Sequence, residues 1–235
     1  ALEGNYNEVY IFLLQENLKM WELHQQQISI IDSKIEMLLK EVCKGKKPVE
    51  VTGKAKPIRH HSPKIKDLHT MMVQLYGLDM SSISGFNDYT LLRLVGETGV
   101  DLANRFPTYK HFVSWCGLSP KHHQSGKMKK RIKGTSCNQT GQIFKEMAQG
   151  LLNSKHIAIG SFMRRLRGKT DSGIAIKAGA RKLAIAYYNG STKGTEYVEQ
   201  GIKKYEEQLR QRELSTLQKL AKKHNMQISE NKQVV

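Results

Sequence analysis

From Val9 to Val42 the chain runs without a single Gly or Pro. Within it Leu14, Leu18, Trp21, Gln25, Ile28, Asp32, Ile35, Leu39 and Val42 follow one another in steps of four and three, with no slip. A 3.5-residue repeat of this kind is the a/d seam of a coiled coil, and it commits the segment to one long helix. Gln25 and Asp32 are polar on that seam, the sort of residue that fixes register or partner number at some cost in stability. With no other core in reach, so long a helix predicts self-association, as a homodimer or homotetramer. The blander alternative is a single amphipathic helix packed on its own domain.

The rest of the chain predicts helices too. Hydrophobic residues make up 39% and aromatic residues only 7%, a balance that suits modest helical cores better than a β-sandwich. No run alternates as a half-buried strand would. The fold class expected is all-α, a long coiled-coil helix followed by a compact helical domain. At 235 residues there is enough chain for one good core or two small ones.

Charge narrows the function. Lys and Arg number 38 against 21 Asp and Glu, a net +17, which points to a polyanionic partner. Residues 1–43 carry three lysines against seven acidic residues, so the excess lies wholly beyond them. Three cysteines, Cys43, Cys116 and Cys137, with no CxxC spacing argue against a disulfide framework or zinc knuckle and suit a reducing cytoplasm. No apolar run reaches the length of a membrane span and no signal peptide is evident. The opening "ALEGNY" has no methionine and reads like structured sequence, so the chain is expected to be part of something longer.

Four segments are expected: a coiled-coil helix over 1–45, a basic linker over 46–66, a helical domain over 67–195, and a C-terminal amphipathic helix and tail over 196–235. His60 and His61 lie in the linker without a second ligand pair at usable spacing, so no metal site is expected there. A short helix is expected over 67–76, followed by a turn through Gly85 and a second helix bearing Leu91, Leu92, Leu94 and Val95. Helix, glycine turn and helix resemble a helix-hairpin-helix, in which turn N–H groups hold a phosphate. Phe112, Val113, Trp115, Cys116 and Leu118 read as a buried short helix. Beyond residue 138 two helices are expected, joined by a turn at 168–173 and carrying a second basic patch with Arg164, Arg165, Arg167, Arg181 and Lys182.

The stretch "SPKHHQSGKMKKRIKGTS", residues 119–136, holds six Lys/Arg and no acid, and it reads as a loop. Its serine, Ser125, precedes Gly126. A serine hydroxyl attacks a phosphodiester only when something takes its proton or a metal activates it, and when the nonbridging oxygens are neutralised. Lys121, Lys127, Lys129, Lys130, Arg131 and Lys133 could neutralise them, and Gly126 would let phosphate approach the backbone. A base could come only from His122 or His123. On these residues alone the stretch is either a nucleophile's setting or an exposed phosphate-binding loop.

Almost end to end, the chain resembles the C-terminal two-thirds of the transposases named after insertion sequence 110. "LYGLDMSSISGF" is similar to that family's "GVDLTxIxGIG", and "ETGVDLANRFPTYKHFVSWCGLSP" to its "EIGxDxSRFPTAKHFASWLGLxP". "HHQSGK" is similar to "xxxSGGK", and "AIKAGARKLAIAYYNGSTKGTEYV" to "AxxATAHKLARxxYxxLxxGxxYV". The resemblance implies a DNA recombinase whose composite active site joins this region to a RuvC-like domain with a four-carboxylate set that binds Mg. It also implies a structured guide (bridge) RNA as partner alongside DNA, and a cytoplasmic, nucleoid-associated place in the cell. The family's nucleophilic serine falls on Ser125. Lys127 stands where the family has a second glycine, Arg181 where it has histidine, and "GFN" replaces "GIG" at Gly85. Nothing here corresponds to the carboxylate domain. The competing expectations are a non-catalytic coiled-coil module that binds RNA or junction DNA, and a helix-hairpin-helix architectural protein.

Overall fold

In the computed structural model the long helix forms as its heptads require. The structure describes residues 4, 7–46, 49, 63–120, 122–125, 128–131, 136–154, 157–194, 207, 210–211 and 213–226, with 122–125 and 128–131 described by backbone alone. Asn7 caps α1 (Glu8–Cys43) by accepting the Val9 N–H at 3.0 Å, which satisfies one of the orphan donors of the first turn. At 36 residues the helix is about 54 Å long. Along it Lys19 pairs with Glu16 and Lys40 with Glu36, at the i,i+3 and i,i+4 spacings that bring side chains together on a helix surface. The Lys40 bond holds the Glu36 carboxyl below the ordinary carboxylate range.

The described residues divide into two compact units, Ala1–Asp79 with Asn87–Leu92, and Met80–Phe86 with Arg93–Val235. In the first, α1 packs its C-terminal third on α2 (Leu68–Tyr76). Asp32, Leu39 and Cys43 are the buried residues of α1. Asp32, which the heptads make a polar seam residue, accepts the Lys64 N–H at 2.9 Å, so its charge is answered within the chain. Each helix end is closed by the other's neighbourhood. The Gln74 amide donates to the Cys43 carbonyl at 3.2 Å, and Lys46 Nζ donates to the Leu75 carbonyl. His69 Nδ1 lies 3.0 Å from Asp88 Oδ1, both groups buried, which ties α2 to the first residue of α3 (Asp88–Thr98).

The second unit begins with a 3-10 turn, Met80–Ser82. The later part of α3 follows, then α4 (Leu102–Arg105), α5 (Tyr109–Trp115), strands β1 (His122–Ser125) and β2 (Met128–Arg131), α6 (Gln139–Leu152), α7 (Ala158–Arg167) and α8 (Ser172–Lys193). Among the described residues the architecture is all-helical apart from that short antiparallel hairpin. Helix α8 is the axis of the unit and packs on α4, α5, α6 and α7. Asp171 caps it through the Gly173 N–H. Its small residues Ala175, Gly179, Ala180 and Ala184 are buried and let α7 close in until Met163 rests on Gly179. Phe112, Phe144 and Tyr187 form the aromatic centre, with ring centroids 5.8 to 6.1 Å apart. The Tyr187 hydroxyl meets Thr98 Oγ1 at 3.2 Å, and Tyr188 donates to the Phe106 carbonyl at 2.7 Å, so both phenols are buried with partners.

Three expectations need correction. Between residues 138 and 195 the described residues form three helices rather than two, because α6 ends at Leu152 and α7 starts afresh at Ala158. Trp115 is not core: it is 36% exposed, lies beside Phe106 and Phe112, and carries the Arg105 guanidinium 4.9 Å above its ring. The basic stretch is not a plain loop, since two four-residue strands pair within it. Residues 213–223 are helical and almost wholly exposed.

A close backbone approach in the second unit joins the end of α5 to α6. A Cβ on Gly141 would fall on the Cys116 carbonyl oxygen, and backbone cannot yield as a side-chain tip can. Gly141→Ala is therefore expected to destabilise the chain by about 2 kcal/mol or more, read from denaturant unfolding. Gly150→Ala in the same helix meets nothing within 4 Å and is expected to stabilise by roughly 0.5–1 kcal/mol.

Burial beside that contact, helped by Cys137, pushes the Cys116 thiol up to about 12 from an ordinary 9.0. The folded state therefore holds the thiol neutral where the unfolded state would ionise it. This stabilisation is intact below pH 9.0 and is lost as pH rises toward 12. In denaturation series across that window, Cys116→Ala should lose stability less steeply than the parent chain.

Candidate nucleic-acid interface

The hairpin that carries Ser125 rises from a closed base. Gly117 takes φ +70°, and a Cβ there would meet the Ser136 carbonyl oxygen at 2.5 Å. The Cys137 thiol reaches the Gly117 carbonyl at 3.6 Å. The chain leaving α5 and the chain entering α6 are thus held side by side, and the two strands lie between them in sequence. Asn138 completes the base by capping α6 through the Gly141 N–H at 2.8 Å.

Above the base the ladder pairs His122 with Arg131, His123 with Lys130, Gln124 with Lys129 and Ser125 with Met128. Ser125 is the last residue of its strand, three steps or about 10 Å beyond His122. The strand backbone thereby brings Ser125, Lys129, Lys130 and Arg131 together on one ribbon. Lys121, Gly126, Lys127 and Lys133 lie outside the described residues.

The other expected contacts divide by what already holds them. Arg164 closes the α6–α7 junction. Its guanidinium donates to the Leu152 carbonyl at 3.1 Å, the Ser154 carbonyl at 2.5 Å and Ser161 Oγ at 3.1 Å, which satisfies carbonyls that the end of α6 leaves orphaned. Lys182 sits 4.7 Å over the Phe162 ring. Arg181 donates to Ser119 Oγ at 3.2 Å and so joins α8 to the root of the hairpin. Arg165 and Arg167 are exposed at the C-terminal turn of α7, where cations also suit the helix dipole. Lys169, exposed just beyond them, belongs to the same patch. It was visible in the run of basic residues but not singled out.

Gly85 occupies φ +102°, and a Cβ there would meet Leu151 Cδ1 at 2.7 Å. Its lack of a side chain is accounted for by packing, whether or not its turn also meets phosphate. Among the described residues, no three His, Cys, Asp or Glu side chains come together as metal ligands. No described helix is long and apolar enough to cross a membrane.

This basic ribbon on a closed helical base lies inside a recognised family region. Residues 79–156 match the IS116/IS110/IS902 family of transposases. The transposase domain so defined runs from the turn before α3 to the end of α6 and contains Ser125. A curated relative, the pilin gene-inverting protein of Moraxella bovis, is 30% identical over 55% of this chain and 44% of its own length. The chain thus spans less than half of that relative.

The division among the arginines of α7 can be measured. Arg164→Ala removes a guanidinium from three oxygens and is expected to cost about 1–3 kcal/mol of stability. The double variant Arg165→Ala/Arg167→Ala should stay within about 0.5 kcal/mol of the parent in thermal unfolding.

Proposed function

We propose that this chain is the serine-bearing part of a DNA transposase, in which Ser125 attacks a DNA phosphodiester. The observation that carries the reading is the position of Ser125 at the end of a basic β-ribbon within residues 79–156, the segment that matches the transposase family. The name of the pilin gene-inverting relative, which describes a rearrangement of DNA, agrees with it.

In this reading Ser125 Oγ forms a new bond to phosphorus and one bridging P–O bond breaks. The products are a serine–phosphodiester link and a DNA strand that ends in a free hydroxyl. The serine proton passes through solvent or a base to the departing oxygen. Lys129, Lys130 and Arg131 share the ribbon with Ser125 and supply the positive charge that such a transition state requires. Arg165, Arg167 and Lys169 offer exposed cations for nucleic-acid backbone.

The Mg ion and four-carboxylate set implied by the resemblance do not fit the described residues, where no ligand cluster forms. In this proposal they belong to another domain or subunit. DNA, a structured guide RNA and further copies of the chain joined through α1 are the proposed partners.

The test is a covalent adduct that survives denaturing electrophoresis, formed by the full-length protein with guide RNA and element DNA. Ser125→Ala should reduce it at least ~100-fold while leaving DNA retention in gel-shift assays unchanged. An undiminished adduct in that variant would move the nucleophile elsewhere, with Ser136 and Ser119 next to be examined. Failure of the parent protein to form any adduct would favour the non-catalytic binding module.

A further inference from the structure

From Leu102 to Lys145 the chain holds no Asp or Glu. The basic ribbon occupies the middle of this acid-free run. Helix α5 precedes it with exposed Lys110, His111, Ser114 and Trp115. Residues 110 and 114, and 111 and 115, are four apart and so share one side of the helix. A large aromatic side chain left 36% exposed among cations is placed as a nucleic-acid contact would be.

Arg105 turns that ring into a platform. Its Nη1 donates to the Thr98 carbonyl at 3.1 Å and to the Glu97 carbonyl at 3.5 Å, which closes the C-terminal end of α3. So anchored, the guanidinium lies 4.9 Å over the Trp115 ring and 5.5 Å over Phe106. The indole is supported in turn by Phe112, whose ring stacks with it at 6.2 Å. Buried rings thus hold the indole, and bonded carbonyls hold the cation over it.

Closing the helix end accounts for Nη1 and for nothing more. The Nε and Nη2 donors have no partner among the described residues, and no carboxylate there pairs with Arg105. The nearest acidic side chain in sequence, Asp101, is bonded to Asn104. A guanidinium fixed in this way offers a planar face on which a base can stack, and free N–H groups for the adjoining phosphate. Inside a duplex the faces of each base are covered by its neighbours, so only an unpaired base can use such a face.

Position identifies the strand. Trp115 ends α5 and leads through Gly117 into β1, so even a fully extended chain would keep it within about 35 Å of Ser125. We propose that Arg105 and Trp115 form a stacking site for an unpaired base of the DNA strand whose phosphodiester Ser125 attacks, and that this site holds the strand at the foot of the ribbon. The inference rests on the function proposed above for the identity of the strand. It adds a contact that reads the base face rather than the phosphate.

The test uses the 235-residue chain carrying Trp21→Phe, which leaves Trp115 as its one tryptophan. Trp21 is exposed on α1, and the platform itself is untouched. Oligodeoxythymidylate is expected to quench the Trp115 fluorescence. An abasic strand of equal length, with the same phosphates and no bases, should bind without quenching. Arg105→Lys keeps the charge and loses the planar face. It should weaken oligodeoxythymidylate binding about 5- to 150-fold and leave abasic-strand binding little changed. Quenching by both strands alike, or by neither, would overturn the stacking site and leave Arg105 as a helix-end cap. Tighter binding of oligouridylate than of oligodeoxythymidylate would overturn the assignment to DNA. Neither result bears on the Ser125 adduct. Absence of the adduct would remove the strand's identity, while the fluorescence still reports the stack.

Discussion

The second unit depends on one backbone contact, the Cys116 carbonyl resting against Gly141 with Gly117 turned beside Ser136. No side chain mediates it, so the distance between α5 and α6 is set by main-chain atoms that cannot rearrange. From this follow the depth at which Phe112 and Phe144 meet Tyr187 and the burial of the Cys116 thiol. The closed base from which the basic ribbon rises follows from it as well. A two-stranded ribbon is marginal alone in water. Anchoring both of its ends on so rigid a pair of glycines removes much of the entropy that would otherwise oppose it.

The same economy governs the charges. A chain with so large an excess of Lys and Arg does not turn all of it toward a partner. Arg164 satisfies helix-end carbonyls, Lys182 lies on Phe162, and Arg181 holds Ser119 at the root of the ribbon. Arginine suits the first role because its planar fork can reach several oxygens at once. Arg165, Arg167 and Lys169, by contrast, are exposed. Arg181 connects the two groups, since it fixes the start of the segment that leads to Ser125.

In the first unit the long helix is used in two ways along its length. Its last third is core, with Leu39 and Cys43 packed near α2 and Asp32 bonded to the Lys64 backbone. Its first two-thirds leaves large apolar residues such as Leu14, Leu18 and Trp21 exposed. A polar residue on a heptad seam therefore need not answer to a partner chain: the Asp32 carboxylate finds its donor locally, which spares the fold an unanswered buried charge.

Local periodicity and local chemistry were enough to read α1, the helices over 68–76 and 88–98, and the helical class, because a 3.5- or 3.6-residue repeat is written in neighbouring residues. The ordered run of motifs, beginning at "LYGLDMSSISGF", was likewise enough to anticipate the transposase-family match over residues 79–156. The ribbon was not legible, because neither of its faces is apolar and alternation leaves no signal. Only the two-residue spacer beginning with glycine hinted at it. Nor could sequence separate Arg164 from Arg165, or expose Trp115 at the edge of its cluster. Those outcomes depend on which carbonyls and rings arrive from distant parts of the chain, and only the packed tertiary structure brings them there.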